Sequence, residues 1–496
     1  MDYEVVIGLE THCELLTEGK LWCRCSTKFG QAPNTQTCPV CLGMPGVLPV
    51  LNEHAFELAL RAALAMNCRI NRTCYFDRKN YYYPDLPKNY QVSQSYRNLG
   101  EDGFLEIPVE SRMARVGITN VHLEEDAGKN MHAEQAGADY SLVDLNRAGT
   151  PLLEIVSEPD MRTVAEAESY MHTLRQILLY TGVSDCKMQE GSLRFEASIS
   201  LRPFGQKAYG ARVEIKNVNS MKAVCAALAY EIKRQTKVLD RGEKVDMETR
   251  LWDDARGHTA RMRSKEEAQD YRYFPDPDLL PVQIDDAMLE RVRASLTELP
   301  LARRRRFVEQ YSLTDYEAQV LTDASEVADY FEGCLNADDG AGMPHDMEEF
   351  IHGHEAPKAV ANWIMNEILR EVKDRAIGIE DFEIAPARLA ELVRLQDEGR
   401  INAQAARDVM AKMIETGRDA EALVEELGLE QISDQGALDP IIEQVIAENP
   451  GAVADYTGGK MAAVGALVGQ VMRLSKGKAD PKLVNRMLRQ RLDGAG

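Results

Sequence analysis

Carboxylates and histidines recur in the first 220 residues inside apolar runs that otherwise predict β-strands. In YEVVIGLETH the side chains alternate between faces, so Glu10 and His12 lie on one face of the strand. The same alternation in RVGITNVHLEE places His122 and Glu124 on one face and Glu125 on the other. Carboxylates gathered in a cleft repel each other unless a cation neutralises them, and Mg²⁺ both suits oxygen ligands and bridges them to nucleotide phosphates. These segments therefore predict a metal and phosphate site.

Two more segments extend this pattern. Arg194 and Glu196 alternate with apolar residues in RFEASISL, as do Glu214 and Lys216 in ARVEIKNV. One polar face per strand is also typical of an antiparallel sheet that faces solvent. Because several strands carry mainly acids, with a histidine among them, the ionic site is the favoured interpretation.

Lysines near these strands suggest what the site does. Lys79, Lys88 and Lys216 would supply positive charge to a transferring phosphoryl group, a reaction that depends on positioning and electrostatics. A P-loop is not supported, because Gly458-Gly459-Lys460 lacks the earlier glycine and is followed by methionine. There is also no GxGxxG motif after a strand, so a Rossmann nucleotide site is not supported.

Four cysteines form a second constellation. Cys23 and Cys25 are separated by one residue, and Cys38 and Cys41 follow after a gap of twelve. Two such pairs on turns can surround Zn²⁺ with four thiolates, although the first pair is tighter than the common C-x2-C knuckle. The alternative is four ordinary reduced thiols. Four of the ten cysteines within nineteen positions favour zinc.

Composition predicts an intracellular, soluble enzyme. The chain has 496 residues, is 44% hydrophobic and has a net charge of −22, which fits about two to four domains and argues against broad nonspecific nucleic-acid affinity. It has no secretory segment at its start and no apolar stretch long enough to span a bilayer. The cysteine usage then favours a reducing cytoplasm, with no membrane partner.

The hydrophobic period changes along the chain. Strand-like segments with interspersed helices, such as 52–66 and 163–181, dominate up to the proline-rich FPDPDLLPV, and helical periodicity dominates afterwards. We therefore predict a catalytic domain at 1–290, with a zinc-ribbon-like insertion at about 20–45. A helical domain at 291–400 and a helical tail at 401–496 would follow.

The tail carries a basic stretch. Between Arg473 and Arg491 there are seven Lys or Arg residues and one acid, Asp480. The basic residues are Arg473, Lys476, Lys478, Lys482, Arg486, Arg489 and Arg491. The segment KLVNRMLRQRL predicts an amphipathic helix. This stretch is either a local footprint for nucleic acid or simply the solvated face of a helix.

A family resemblance covers essentially the whole chain. The chain resembles the B subunit of tRNA-dependent amidotransferases in many long segments that occur in the same order. They are IGLETH, NTQTCPVCLGMPGVLPVLN, YYYPDLPKNYQVSQ, HLEEDAGK, DLNRAGTPLLEIVSEPDMRT, MQEGSLR, VEIKNVNS, MRSKEEAQDYRYFPDPDLLP and GALVGQVMRLSKGKADPKLVN.

The resemblance implies a fold and a reaction. The fold would be α+β, with a cradle-shaped, largely antiparallel-sheet catalytic domain followed by all-α helical and tail domains, the last of which contacts tRNA. ATP would phosphorylate the side-chain carboxylate of Glu on tRNA(Gln) or of Asp on tRNA(Asn), and ammonia would displace the phosphate. An amidase A subunit would supply the ammonia from glutamine, and a small C subunit would join the two.

The resemblance also implies roles for individual residues. Glu10, His12, Glu125 and Glu214 would be the leading Mg²⁺ ligands, with Glu124, Glu190 and Glu196 as further candidates. Lys79 and Lys88 would contact phosphate or line a channel, and Lys88 would pair with Glu125 where ammonia enters. Lys79, Lys88 and Glu125 are thus the predicted catalytic residues, and Cys23, Cys25, Cys38 and Cys41 the predicted Zn²⁺ ligands.

Some positions leave alternatives open. The family usually has Cys-Asp-Ala-Asn where this chain has Phe195 to Ser198. Glu196 therefore keeps the negative charge of the family's Asp, but its side chain is one methylene longer. The position of a metal ion held there is left open. Tyr82 and its neighbouring tyrosines could stack on a base or pack in a core. With Asn89 and Lys216, Tyr82 completes the predicted substrate and nucleotide residues.

Two classes of function remain. The first is the catalytic subunit just described, acting on Glu-tRNA(Gln), Asp-tRNA(Asn) or both. The second is a noncatalytic, zinc-containing scaffold that binds tRNA. Clustered carboxylates favour the first, because they would repel RNA unless they hold metal.

Overall fold

The computed structural model describes residues 2–132, 140–264, 270–336, 355–431, 435–475 and 478–493. The chain divides into two compact units, Met1–Pro300 and Leu301–Gly496. The first unit is mixed α/β with a large, mostly antiparallel sheet, and the described part of the second is helical. This confirms the predicted fold class at that level, while the cradle shape stays a prediction.

The first unit is built on a nine-stranded sheet. Its strands are β1 (Tyr3–Glu14), β2 (Arg69–Ile70), β6 (Gly100–Val109), β7 (Arg112–Glu125), β10 (Pro151–Ser157), β11 (Leu193–Pro203), β12 (Val213–Lys216), β13 (Glu248–Asp253) and β14 (His258–Ser264). They lie in the order β14-β13-β12-β11-β1-β10-β7-β6-β2. The described pairings in this sheet are antiparallel except that of β12 with β13.

Three helices cover the apolar face of this sheet. They are α1 (Glu53–Ala65), α2 (Val164–Tyr180) and α3 (Met221–Asp240), and the first two match the helices predicted from sequence. Thr163 starts α2 with a capping box, in which its side chain and that of Glu166 each accept from the other's backbone N–H. Ile7 and Leu9 of β1 and Leu174 of α2 belong to the same buried core. The polar residues of β1 are therefore left on the opposite face.

Short sheets lie beside the main one. They are formed by β3 (Thr73–Cys74) with β16 (Val282–Gln283), by β4 (Asp77–Asn80) between β5 (Tyr90–Ser93) and β15 (Phe274–Pro275), and by β8 (Lys129–His132) with β9 (Ser141–Asp144). Helix α4 (Asp286–Ala294) completes the first unit. The strands β4 and β5 carry or adjoin the predicted Lys79 and Lys88.

The described part of the second unit contains two apolar cores. The first extends from Phe307 to Val424 and the second from Leu438 to Leu492. The first core includes residues on both sides of residue 400. The predicted domain boundaries at 290 and 400 stay predictions. In the part of the chain that the structure describes, no helix is long and apolar enough to cross a membrane.

The helices of the second unit follow in chain order. They are α5 (Pro300–Tyr311), α6 (Asp315–Leu321), α7 (Ser325–Leu335), α8 (Ala356–Trp363), a π-helical turn (Ile364–Ile368), α9 (Leu369–Arg375), a 3₁₀ turn (Ile379–Asp381), α10 (Pro386–Asp397), α11 (Ala403–Thr416), α12 (Ala420–Leu427), α13 (Gln435–Glu448), α14 (Pro450–Thr457), a 3₁₀ turn (Met461–Ala463), α15 (Val464–Leu474) and α16 (Pro481–Asp493).

Candidate active site and metal centres

The strand register builds a row of ionic side chains across the polar face of the main sheet. His122 of β7 is opposite Glu154 of β10, and Glu154 is opposite His12 of β1. On the other side of β1, His12 is opposite Arg194 of β11. Because directly opposite residues of antiparallel strands point to the same face, all four side chains lie on that face.

Glu154 is at the centre of this row. Its Oε2 lies 3.3 Å from His122 Nε2 and 3.4 Å from His12 Nε2. Glu10 Oε1 lies 3.6 Å from His12 Nε2, which confirms that Glu10 and His12 share a face. Glu124 Oε1 lies 3.8 Å from His12 Nε2, and Glu124 Oε2 lies 3.8 Å from His122 Nε2. The central cluster hereafter means these five residues: Glu10, His12, His122, Glu124 and Glu154.

The buried Glu124 has a hydrogen-bonded neighbour and interacts electrostatically with a lysine. Ser93 Oγ of β5 donates to Glu124 Oε2 over 3.2 Å. Burial lowers the pKa of Lys79 of β4, but the charges around it, those of Glu124 and Glu154 among them, together raise its pKa above the usual value. These charges favour the cationic form of Lys79 beside the central cluster, and its phosphate-binding role stays a prediction.

The electrostatics of the central cluster are those of crowded, buried carboxylates and histidines. Burial and the neighbouring Glu154 carboxylate raise the pKa of Glu10 to about 7. Burial by itself lowers the pKa of His12, but the hydrogen bond to Glu154 and the charge of Glu124 raise it to about 9. Burial by itself raises the pKa of the central Glu154 carboxylate, but the histidines lower it below the usual value, and the crowded negative charge favours a bound cation.

Within the central cluster, two sets of donor atoms could hold a metal ion. They are Glu10, His12 and Glu154, and His122, Glu124 and Glu154, with the donor atoms of each set within 4.8 Å of one another. The carboxylates suit Mg²⁺, and the histidine nitrogens also suit first-row transition metals. The residues present therefore fit a divalent cation.

The other predicted magnesium ligands lie apart from these two sets. Glu196 and Glu214 flank Lys216, whose Nζ is 2.6 Å from Glu196 Oε2 and 3.2 Å from Glu214 Oε1. Glu196 is opposite Glu10 in the register, so this group borders the central cluster. Lys216 neutralises part of the charge that a metal would otherwise balance.

Glu125 faces a different environment from Glu124, as the alternation predicted. Its carboxylate accepts from Lys88 Nζ and, over 2.9 Å, from the backbone N–H of Val92. This is the pair that the resemblance implied. Lys88 also packs against Gly43, whose φ is +64° and where a Cβ would overlap the lysine stem. The pair borders a cavity of about 210 Å³.

A larger cavity, of about 660 Å³, opens beside Arg194 and is hereafter the arginine cavity. Arg194 Nη2 donates over 2.7 Å to the buried Asp126, and Arg147 Nε lies 3.5 Å from the same carboxylate oxygen. Glu14 lines the cavity, and burial together with the charge of Asp126 raises its pKa to about 7. Glu190 lines it too, 3.5 Å from Lys187 and outside both metal-ligand sets.

The four predicted zinc ligands are brought together. The Sγ atoms of Cys23, Cys25, Cys38 and Cys41 all lie within 4.8 Å of one another. The backbone N–H of Cys38 donates to Cys41 Sγ, and the Cys23 thiol beside it lowers the pKa of Cys41 to about 5. Four thiols at this spacing, with one stabilised as a thiolate, fit tetrahedral Zn²⁺.

The remaining predicted substrate residues are less constrained. Tyr82 is 80% exposed, which excludes the core-packing alternative for its ring in this chain. Asn89 has a left-handed backbone, with φ of 60°, immediately before β5. Its backbone N–H donates to the carbonyl oxygen of Leu86 over 3.0 Å, which closes the turn that carries Lys88.

The C-terminal helix α16 forms with the predicted amphipathic pattern. Leu483, Met487 and Leu488 are buried. The basic side chains of Arg473, Lys482, Arg486 and Arg489 are exposed, and Lys478 is half-buried. Lys476 lies outside the described residues. Arg491 pairs with Asp439 and Glu443.

Three residues of the site are absent from the predicted set. His122 and Glu154 complete the central cluster, and Asp126 joins the two arginines. The sequence does indicate Glu154, because this acid interrupts the otherwise apolar strand PLLEIVS. The signal was weak, since a single acid in a strand is usually solvated.

Comparison with known proteins shows the family of the chain. Residues 5–290 match the model of the GatB/GatE catalytic domain, and residues 346–492 match that of the GatB domain. The chain therefore belongs to the GatB/GatE family, which confirms the predicted resemblance.

Several curated relatives are similar over their whole length, and each is named as the B subunit of an aspartyl/glutamyl-tRNA(Asn/Gln) amidotransferase. The protein of Carboxydothermus hydrogenoformans is 52% identical over 99% of both chains. That of Moorella thermoacetica is 50% identical over 99% of this chain and 100% of the relative. That of Geotalea uraniireducens is 51% identical over the full length of both.

Proposed function

We propose that this chain is the B subunit of a tRNA-dependent amidotransferase, an ATP-consuming ligase. It converts Glu-tRNA(Gln) to Gln-tRNA(Gln), Asp-tRNA(Asn) to Asn-tRNA(Asn), or both. The observation that carries this proposal is the central cluster on the sheet face, with Lys79 and Lys216 beside it. A scaffold for a polyanion has no use for such a concentration of carboxylates.

The chemistry requires activation of a carboxylate. A side-chain carboxylate is a poor electrophile, because its leaving group would be oxide. One of its oxygens attacks the γ-phosphorus of ATP and ADP leaves, which gives an acyl phosphate. Ammonia then attacks the carbonyl carbon, inorganic phosphate leaves, and the attacking nitrogen loses one proton to yield the amide.

The residues of the chain divide this work. Lys79 and Lys216 place positive charge next to the reacting oxygens and lower the repulsion between two anions. Glu10, His12 and Glu154, or Glu124, Glu154 and His122, would hold Mg²⁺. Bound there, Mg²⁺ would neutralise charge that develops on the phosphoryl oxygens. Tyr82 and Asn89 are the proposed contacts for the base or ribose of the substrate.

Ammonia must come from another chain. The proposed source is an amidase A subunit that hydrolyses glutamine, with a small C subunit joining the assembly in the cytoplasm. Lys88 and Glu125 are the proposed entry point, because their pair lies beside a cavity and next to the acidic face. Neutral ammonia can pass such a pair without the desolvation cost of an ammonium ion.

The two remaining proposed sites would stabilise the fold and bind tRNA, respectively. Zn²⁺ at Cys23, Cys25, Cys38 and Cys41 would be structural, since four thiolates leave no open position for chemistry. The exposed basic residues around α16 would contact the tRNA backbone. The cradle shape and the three-domain division are part of the same proposal.

A single assay separates the catalytic subunit from a scaffold. The chain is reconstituted with the A and C subunits, and ADP formation is measured with ATP, glutamine and Glu-tRNA(Gln), Asp-tRNA(Asn) or the uncharged tRNAs. We expect ADP to form only with misacylated tRNA, together with one amide per ADP. ADP formation that ignores the aminoacyl group, or amide formation without ATP, would contradict the proposal.

A further inference from the structure

The arginine cavity has a charge pattern that the central cluster does not explain. Arg194 projects from β11 at the register position opposite His12, which places it at the edge of the central cluster. It also lines the cavity of about 660 Å³. This volume is within the range of pockets that hold small organic groups.

Arg194 is anchored at one nitrogen and keeps hydrogen-bonding capacity at others. Its Nη2 donates to Asp126, whose side chain is only 7% exposed. Its Nε is buried and has no hydrogen-bond partner among the residues that the structure describes. A guanidinium carries five N–H donors in a planar fork, so one anchored edge leaves others for a carboxylate.

The lining of the cavity is mixed in sign. Arg147 and Lys129 contribute positive charge, and Glu14 and Glu190 contribute carboxylates. A pocket for phosphate alone would have no use for the acids. A ligand with an ammonium group and a carboxylate would use both signs, and an aminoacyl ester of Glu or Asp is such a ligand.

We infer that the arginine cavity receives the aminoacyl group of the misacylated tRNA and that Arg194 binds its side-chain carboxylate. This inference rests on the proposed function. Arg194 would hold the carboxylate at the edge of the central cluster, where it must approach the γ-phosphate. A cation at this point also selects Glu over Gln, because the product has a neutral amide in place of the carboxylate.

The test compares binding of Glu-tRNA(Gln) and Gln-tRNA(Gln) to the reconstituted complex without ATP. We expect the wild type to bind the Glu form more tightly, by roughly tenfold or more for one charge-assisted contact. Arg194→Gln should bring the two affinities within about twofold of each other, mainly by weakening the Glu form. Arg194→Lys keeps the charge but loses the fork, so its preference should be intermediate.

Arg202→Gln is the matched control. Arg202 lies on the same strand, but it pairs with Glu4 and lies outside the residues that line the cavity. It should keep the wild-type preference for Glu-tRNA(Gln). Thermal unfolding of both variants checks that they fold. If Arg194→Gln does not fold, the binding preference of Arg194→Lys still tests the inference.

The outcomes separate this inference from the proposed function. If the wild-type complex forms amide with ATP but Arg194→Gln keeps the preference for Glu-tRNA(Gln), only the inference is wrong. The same holds if Arg194→Gln raises the KM for ATP without changing that preference, because Arg194 would then bind a phosphate. If the wild-type complex forms no amide, the proposed function fails and the inference fails with it.

Discussion

His12 and Glu154 face each other across the paired strands β1 and β10, with Nε2 3.4 Å from Oε2. Glu154 also contacts His122, so a single carboxylate joins both sets of candidate metal ligands. Glu154 lies in the middle of β10, which is itself between β1 and β7 in the sheet. Removing its charge should therefore affect both sets at once.

We expect Glu154→Gln to reduce amide formation on the tRNA by on the order of 10²- to 10³-fold, because it removes charge that would hold a cation at the phosphoryl group. Glutamine hydrolysis by the A subunit should persist, and the fold should be kept because the apolar face of the sheet is unchanged. Glu158→Gln is the control, since Glu158 is exposed and accepts a hydrogen bond from Thr119. Near-normal amidation by Glu154→Gln would contradict the site.

The cysteine cluster gives a second prediction. Cys38→Ser should lower the zinc content of the purified protein and increase proteolysis within residues 20–45, because structural zinc contributes folding free energy directly. Cys225→Ser, at a half-buried thiol outside the cluster, should change neither. The measurements are metal analysis and limited proteolysis. A wild type without zinc, and with all four thiols open to alkylation, would rule the zinc site out.

The buried pair of Lys88 and Glu125 gives a third prediction. Lys88→Met should destabilise the first unit by about 3–5 kcal/mol, because Glu125 is left as a buried charge without its cation. The side chains are only 10% and 2% exposed, so water cannot replace the lost partner. The double variant Lys88→Met/Glu125→Gln should recover part of this loss in denaturant unfolding. A double variant less stable than Lys88→Met would show that the pair is not the cause.

The basic tail gives a fourth prediction. Replacing Lys482, Arg486 and Arg489 with Gln should weaken tRNA binding and lower the salt slope by about 0.7–0.9 for each phosphate that is no longer neutralised. The three side chains are exposed, so folding should not change. Catalysis should suffer mainly through a higher KM for aminoacyl-tRNA. The same replacement at the exposed Lys233, Lys237 and Arg241 is the control, and equal salt slopes for the two triple variants would show that the tail is only a solvated helix face.

Local patterns were enough for much of the fold and part of the site. Period-two alternation places Glu10 with His12 and separates Glu124 from Glu125, because neighbouring side chains of a strand must point to opposite faces. Close spacing likewise brings the paired cysteines together, since residues two or three positions apart on a turn cannot be far from each other. Helices α1 and α2 follow from their apolar periodicity.

Strand order and register were decided only in the folded chain. Alternation gives each strand a polar face but does not say which strands are neighbours, and a shift of one residue would turn every side chain to the other face. Glu154 enters the site because β10 pairs with both β1 and β7, and Glu190 stays out of both metal-ligand sets because it precedes β11 on a turn. These pairings join residues far apart in the chain, such as His12 and Glu154, and the buried core beneath the sheet selects them.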